Sequence, residues 1–224
     1  MITARFFLLF NGIFATAVSC HYQPAKPRYD KVVLVHGILE DGKAFDPLKK
    51  RLETHGIRCL VPQLKPNDGR NGLEHLAADL KADIEKEFGT EEKFALVAFS
   101  MGGLVSRHYL QQLGGAERCE AFITISSPHH GTNMAYVFPG KGARQMQPGS
   151  EFLRGLEETE SALGDMPVVS YRTPMDLIIL PTSSSVWKRA ENKSFRVALH
   201  PLMLHTPSVL DDIERQLVTD GQGS

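Results

Sequence analysis

Residues 94–104 read Phe-Ala-Leu-Val-Ala-Phe-Ser-Met-Gly-Gly-Leu: an unbroken apolar run, a serine, then a glycine pair. Six consecutive apolar residues predict a strand covered on both faces. The residues after Ser100 predict a helix over Met101–Leu113. A strand that passes straight into a helix leaves no room for a loop, so Ser100 has to stand at the apex of a sharp turn in strained backbone. Small residues are needed where the two elements approach each other, and Ala98, Gly102 and Gly103 supply them. A chain built around this segment is confined to folds in which a buried strand is followed at once by a helix that packs back on its sheet.

The rest of the chain agrees with that restriction. Its 224 residues suit one domain with a single large core, and 42% hydrophobic with 23% charged residues is ordinary globular composition. A net charge of −1 gives no electrostatic footprint for nucleic acid or for an anionic membrane. Lys31–Val35 begins a buried strand. Ala44–His55 reads as a helix ended by Gly56, and Arg58–Pro62 as a second strand. Leu73, Leu76, Ala77, Leu80, Ile84 and Phe88 recur at helical spacing, with Gly89 ending that helix. Ala121–Ile125, Val168–Tyr171 and Phe195–Leu199 read as further strands. Pro207–Val218 closes the chain as a helix capped by Thr206. Short apolar strands alternating with helices predict an α/β fold: a mostly parallel sheet of about six strands, helices on both faces, in a domain over residues 31–220. Chemistry in such sheets gathers beyond the carboxyl ends of the strands. That singles out His36, Ser100, Ser126 to His130, Asp176 and His200.

Residues 1–20 differ in kind. Arg5 precedes Phe6–Phe10, and small residues lead to Cys20, the pattern of an export signal peptide. Ala17-Val18-Ser19-Cys20 resembles a bacterial lipobox, in which Cys20 would be lipidated and tether the protein to a membrane. Ala15-Thr16-Ala17 equally suits ordinary cleavage and a periplasmic or secreted product, and a retained anchor is the third possibility. Residues 21–30, with Pro24 and Pro27, read as a tether. Cys59 and Cys119 read as buried free thiols, although an exported protein could join them.

The A-x-S-x-G turn, with Ala98 where glycine is usual, resembles the nucleophile elbow of the α/β hydrolases. Four more segments join it in order: Val35-His36-Gly37-Ile38, Ile125-Ser-Ser-Pro-His-His-Gly-Thr132, the Asp176 loop and the His200 loop. Together they resemble the lipase and esterase branch, small bacterial triacylglycerol lipases in particular, and cover most of residues 31–218. The resemblance implies a serine hydrolase cleaving acyl or lipid esters through an acyl-enzyme, without metal or organic cofactor. In its chain order of Ser, acid and His, Ser100 is the nucleophile, Asp176 the acid, and His200 the base, with His205 as the alternative ring. The N–H groups of Ile38 and Met101 are the expected oxyanion donors. His36 is expected to brace its loop. Ser126 and His130 could be mistaken for a second dyad, but no strained turn is expected around either. Residues 133–165 are expected to cap the site and shape an acyl pocket, while Phe152, Leu153 and Leu156 suit an ordinary core-facing stripe equally well. A thioesterase or acyltransferase would use the same three residues. A non-catalytic membrane-tethered binding protein would keep the fold without turnover.

Overall fold

The computed structural model describes residues 27–218, so the expected export signal, Cys20 and most of the tether lie outside the described residues. Six strands form one parallel sheet: β1 (Lys31–Val35), β2 (Arg58–Leu60), β3 (Phe94–Phe99), β4 (Cys119–Ile125), β5 (Val168–Arg172) and β6 (Glu191–Ser194). Their spatial order is β2-β1-β3-β4-β5-β6, every neighbouring pair parallel. The period-2 alternation of the strands sorts their side chains onto two faces. Val33, Val35, Leu96 and Ala98 join one core with the helices α2 (Leu73–Phe88), α3 (Met101–Gln112) and α5 (Glu151–Glu158). Val32, Leu34, Val97 and Phe99 join the other with α1 (Asp46–Thr54) and α6 (Pro207–Val218). A short helix, α4 (Lys141–Gln145), lies between β4 and α5. Among the described residues no helix is long and apolar enough to cross a membrane.

Two elements depart from the sequence reading. The last strand is Glu191–Ser194, not Phe195–Leu199. It is the edge strand, where polar Glu-Asn-Lys-Ser is tolerated because one flank has no neighbour. Phe195 makes one further bond to the Arg172 carbonyl at 2.9 Å, and Val197 N–H then turns back to the Phe195 carbonyl. Of the apolar residues that suggested a strand, Val197 is buried and Phe195 stacks on Tyr171 at 5.8 Å, whereas Leu199 is exposed. The closing helix departs at its start: the Thr206 hydroxyl donates to the Leu202 carbonyl instead of capping α6, and only the Thr206 backbone carbonyl accepts the Val209 N–H. Within the expected tether, residues 27–30 lie against the domain: Tyr29 is buried, and Arg28 N–H reaches the Val218 carbonyl. Cys59 on β2 and Cys119 on β4 are free thiols. Three strand spacings separate them, roughly 14 Å, too far for a disulfide. Burial pushes both thiols up to about 12.

The sheet order reverses between β1 and β3, so the loops leaving their carboxyl ends flank a crevice. Gly102 sets the width of that crevice. A Cβ there would stand 2.5 Å from the His36 carbonyl oxygen and 2.6 Å from that of Val35, both backbone atoms. Gly102→Ala is therefore expected to destabilise the protein by about 2–3 kcal/mol in urea unfolding. An unchanged midpoint would mean that α3 can shift off β1 freely.

Candidate active site

Ser100 stands between β3 and α3 with φ 54° and ψ −125°, the positive-φ apex that the Ala98-Phe-Ser-Met-Gly102 run requires. Its N–H donates to the Ile125 carbonyl at 2.9 Å, and its carbonyl accepts from Gly103 N–H at 3.0 Å, which fixes the turn between β4 and the first turn of α3. Among the described residues its hydroxyl makes no hydrogen bond. Met101 opens α3, where an N–H has no intrahelical acceptor.

The loop after β1 runs beside this turn. Gly37 N–H donates to the Glu40 carboxylate at 2.9 Å, and Leu39 N–H to the Asn67 carbonyl at 2.8 Å. Among the described residues nothing accepts from the Ile38 N–H between them. His36 braces the loop. Its Nε2 accepts from Leu64 N–H at 3.2 Å, so the proton sits on Nδ1, which donates to the Gly37 carbonyl at 2.9 Å.

Asp176 lies in the loop after β5. Its Oδ1 accepts from both Ile178 and Ile179 N–H at 2.9 Å, and its Oδ2 accepts from His200 Nδ1–H at 2.7 Å. Burial alone would raise the Asp176 carboxyl. The His200 bond and charge, together with the two backbone N–H donors, outweigh it and hold the group below the usual carboxylate value. With Asp176 ionised and acceptor-only, Nδ1 carries the ring proton of neutral His200 and Nε2 is left as acceptor. A carboxyl depressed in the folded state adds stability that is complete above its unfolded pKa, about 3.9, and is lost as pH falls through the folded value. The stability difference between wild type and Asp176→Asn should therefore shrink on acidification from pH 6 to pH 3. A difference that does not change with pH would contradict the shift. His200 is buried, its ring 4.7 Å from that of Phe99, the residue before Ser100. His205 is exposed.

Ser100 and His200 line one cavity of about 280 Å³. Residues 30–192 match the family described by the alpha/beta hydrolase fold. The chain belongs to the alpha/beta hydrolase family. No curated protein matches it. Several solved structures share the fold. Bacillus licheniformis lipase BlEst2 has a TM-score of 0.64 at 18% identity, covering 89% of this chain and 95% of its own. Aspergillus fumigatus lipase B has a TM-score of 0.71 at 19% identity, with 88% of this chain and 54% of its own covered. A Listeria innocua gene product has a TM-score of 0.66 at 15% identity over 86% of this chain and 96% of its own.

The cavity of this alpha/beta hydrolase draws its walls from segments that the sequence reading separates. Residues 133–165 divide. Met134, Ala135, Phe138 and Met146 line the cavity, whereas Leu153 and Leu156 of α5 join the core shared with α3 and Phe152 stacks on His108. Thr132 ties this wall to the acid loop: its hydroxyl donates to the Ile178 carbonyl at 2.7 Å and accepts from Leu180 N–H at 2.9 Å. Ser126 corrects an expectation, since its φ of 48° is a strained turn after all. It still forms no dyad. Its hydroxyl is buried, while the exposed His130 ring meets the Val186 carbonyl and Glu157. His129 is buried, stacked on Trp187 at 4.6 Å, with Nε2–H donating to Thr124 Oγ1 at 3.1 Å. Burial first, and then the Arg107 charge, hold it well below the usual histidine value. Among the described residues no cluster of three His, Cys, Asp or Glu side chains could hold a metal ion. Glu40 also lines the cavity. Sequence analysis does not single it out, although its place three residues after Gly37 on the loop after β1 is a usable signal.

Proposed function

We propose that the protein hydrolyses carboxylic esters, with Ser100 as nucleophile, His200 as base and Asp176 as the acid that orients it. One observation carries this reading: the 2.7 Å Asp176–His200 pair opens on the same cavity as a serine held at positive φ. His200 Nε2 takes the Ser100 proton as Oγ attacks the ester carbonyl. The N–H groups of Ile38 and Met101 receive the oxyanion, each donor worth about 3 kcal/mol in the transition state. His200 returns the proton to the leaving alkoxide, and an acyl-enzyme remains. Water, deprotonated by His200, then releases the acid and restores Ser100. A fluorophosphonate should therefore label Ser100, detected by mass spectrometry of the peptide that contains it. Folded protein that stays unlabelled there would refute the assignment.

The surroundings of the cavity favour a lipid-like ester. The large exposed hydrophobic residues stand on the loops after β1, β4, β5 and β6; Leu39, Phe138 and Ile178 line the cavity, and Val137, Leu177 and Leu199 are the chain neighbours of Phe138, Ile178 and His200, which line it too. Clustered exposed apolar surface of this kind marks an interaction site. Val137→Asp should cut turnover of an emulsified ester several-fold while a dissolved short-chain ester is hydrolysed at the wild-type rate. Equal effects on both would mean that the collar does not meet the lipid phase.

A further inference from the structure

Among the residues that line the cavity, Glu40 is the one Asp, Glu, Lys or Arg. Its carboxylate sits close to the reacting centre. Glu40 Oε2 lies 3.2 Å, and Ser100 Cβ 3.1 Å, from the single point that a Gly37 Cβ would occupy. Oε2 accepts the Gly37 N–H at 2.9 Å, and Asn67 Nδ2 holds the Glu40 backbone carbonyl at 3.0 Å, so the charge is fixed in place. Among the described residues no Lys or Arg forms an ion pair with it. Elsewhere the wall is overwhelmingly apolar. A negative charge beside a site where an oxyanion develops opposes the chemistry, so its presence calls for another account.

We propose that Glu40 is a specificity-determining residue that turns carboxylates away from the cavity. The inference rests on the ester-hydrolase reading above. It concerns both ends of the reaction. An ester whose acyl chain carries a carboxylate near the reacting carbonyl meets a like charge on entry, whereas a neutral or cationic ester does not. Hydrolysis of a neutral ester then converts the acyl group into a carboxylate inside the same cavity. The acid formed by attack of water on the acyl-enzyme loses its proton at neutral pH, and the resulting anion is repelled by Glu40. Substrate and product share their carbon chain and differ in charge, and charge is what Glu40 reads. The same carboxylate offsets its cost by holding Gly37 N–H, which sets the backbone on which the Ile38 donor is carried.

Glu40→Gln separates these roles, because an amide oxygen still accepts from Gly37 N–H but carries no charge. Three measurements are compared with wild type: kcat/KM for a neutral p-nitrophenyl alkanoate, kcat/KM for a p-nitrophenyl ester of equal length ending in a carboxylate, and inhibition by butyrate. In Glu40→Gln the anionic-to-neutral ratio of kcat/KM should rise about tenfold, and the butyrate inhibition constant should fall about as much, the order expected of one nearby charge at a half-exposed site. If either quantity stays within about twofold of wild type, the proposal fails. Wild type supplies a second test that needs no variant. Salt near 1 M, where the screening length is about 3 Å, should raise its anionic-to-neutral ratio, and a ratio insensitive to salt would also overturn the proposal. Neutral-ester turnover and Ser100 labelling in wild type judge the hydrolase reading separately, so its failure and the failure of the charge selection are distinguishable.

Discussion

Ser100→Gly is expected to lose ester hydrolysis by about a millionfold and to melt at a higher temperature than wild type. The first effect follows from the proposed mechanism, in which Ser100 Oγ forms the acyl bond; loss of a nucleophile in a serine hydrolase has that order. The second follows from the backbone. Ser100 sits at φ 54° and ψ −125°, a conformation that side chains with a Cβ rarely adopt. Strain of this kind costs about 1–3 kcal/mol. Glycine removes it and adds back about 0.5–1 kcal/mol of unfolded-chain entropy. Among the described residues the Ser100 hydroxyl makes no hydrogen bond, so its deletion forfeits none. Turnover of a p-nitrophenyl ester and a thermal melt test both halves. Surviving turnover would mean a different nucleophile. A lower melting temperature would mean that the turn is held by something other than its neighbours' backbone.

The strained turn was legible in sequence because the pressures on it are local. A buried strand, a helix start and small residues at Ala98 and Gly102 leave Ser100 nowhere else to go. The parallel sheet was legible for the same reason: β3 is buried and apolar throughout, and β1 and β4 nearly so, with Lys31, Glu120 and Thr124 the exceptions. Sequence failed where that pressure lapses. The edge strand Glu191–Ser194 needs little apolar side chain, and the signal moved to Phe195 and Val197, which are core residues without being strand residues. Ser126 failed differently. Its positive φ comes from the way the chain leaves β4, with its N–H pinned to the Tyr171 carbonyl at 2.7 Å, and no short motif announces that. The cavity wall from Met134 to Met146 was legible only as a region, because which side chains reach the site depends on the Thr132 ties to the acid loop. His200 could be preferred over His205 from its place in the chain, yet the physical distinction is burial against Phe99 and the bond to Asp176.

Asp176→Asn should lower kcat by about ten thousandfold while leaving the fold intact, and the geometry gives the reason. Asp176 Oδ1 already accepts two backbone N–H groups, from Ile178 and Ile179, at 2.9 Å each. An asparagine has one oxygen, and those two donors compel it to occupy that position. Its NH₂ group is then turned toward His200 Nδ1 in place of Oδ2. Nδ1 must become the acceptor and the ring proton moves to Nε2, so that in the proposed mechanism the base would present a donor to the Ser100 hydroxyl whose proton it has to remove. A wrong-tautomer histidine of this kind costs about 10⁴ in kcat. His205→Ala offers the contrast: an exposed ring beyond the short helical segment that His200 opens should leave kcat within about twofold of wild type. Both variants are read in the same p-nitrophenyl ester assay. A loss of less than tenfold in Asp176→Asn would show that the carboxylate does not set the tautomer, and a large loss in His205→Ala would move the base to the second ring.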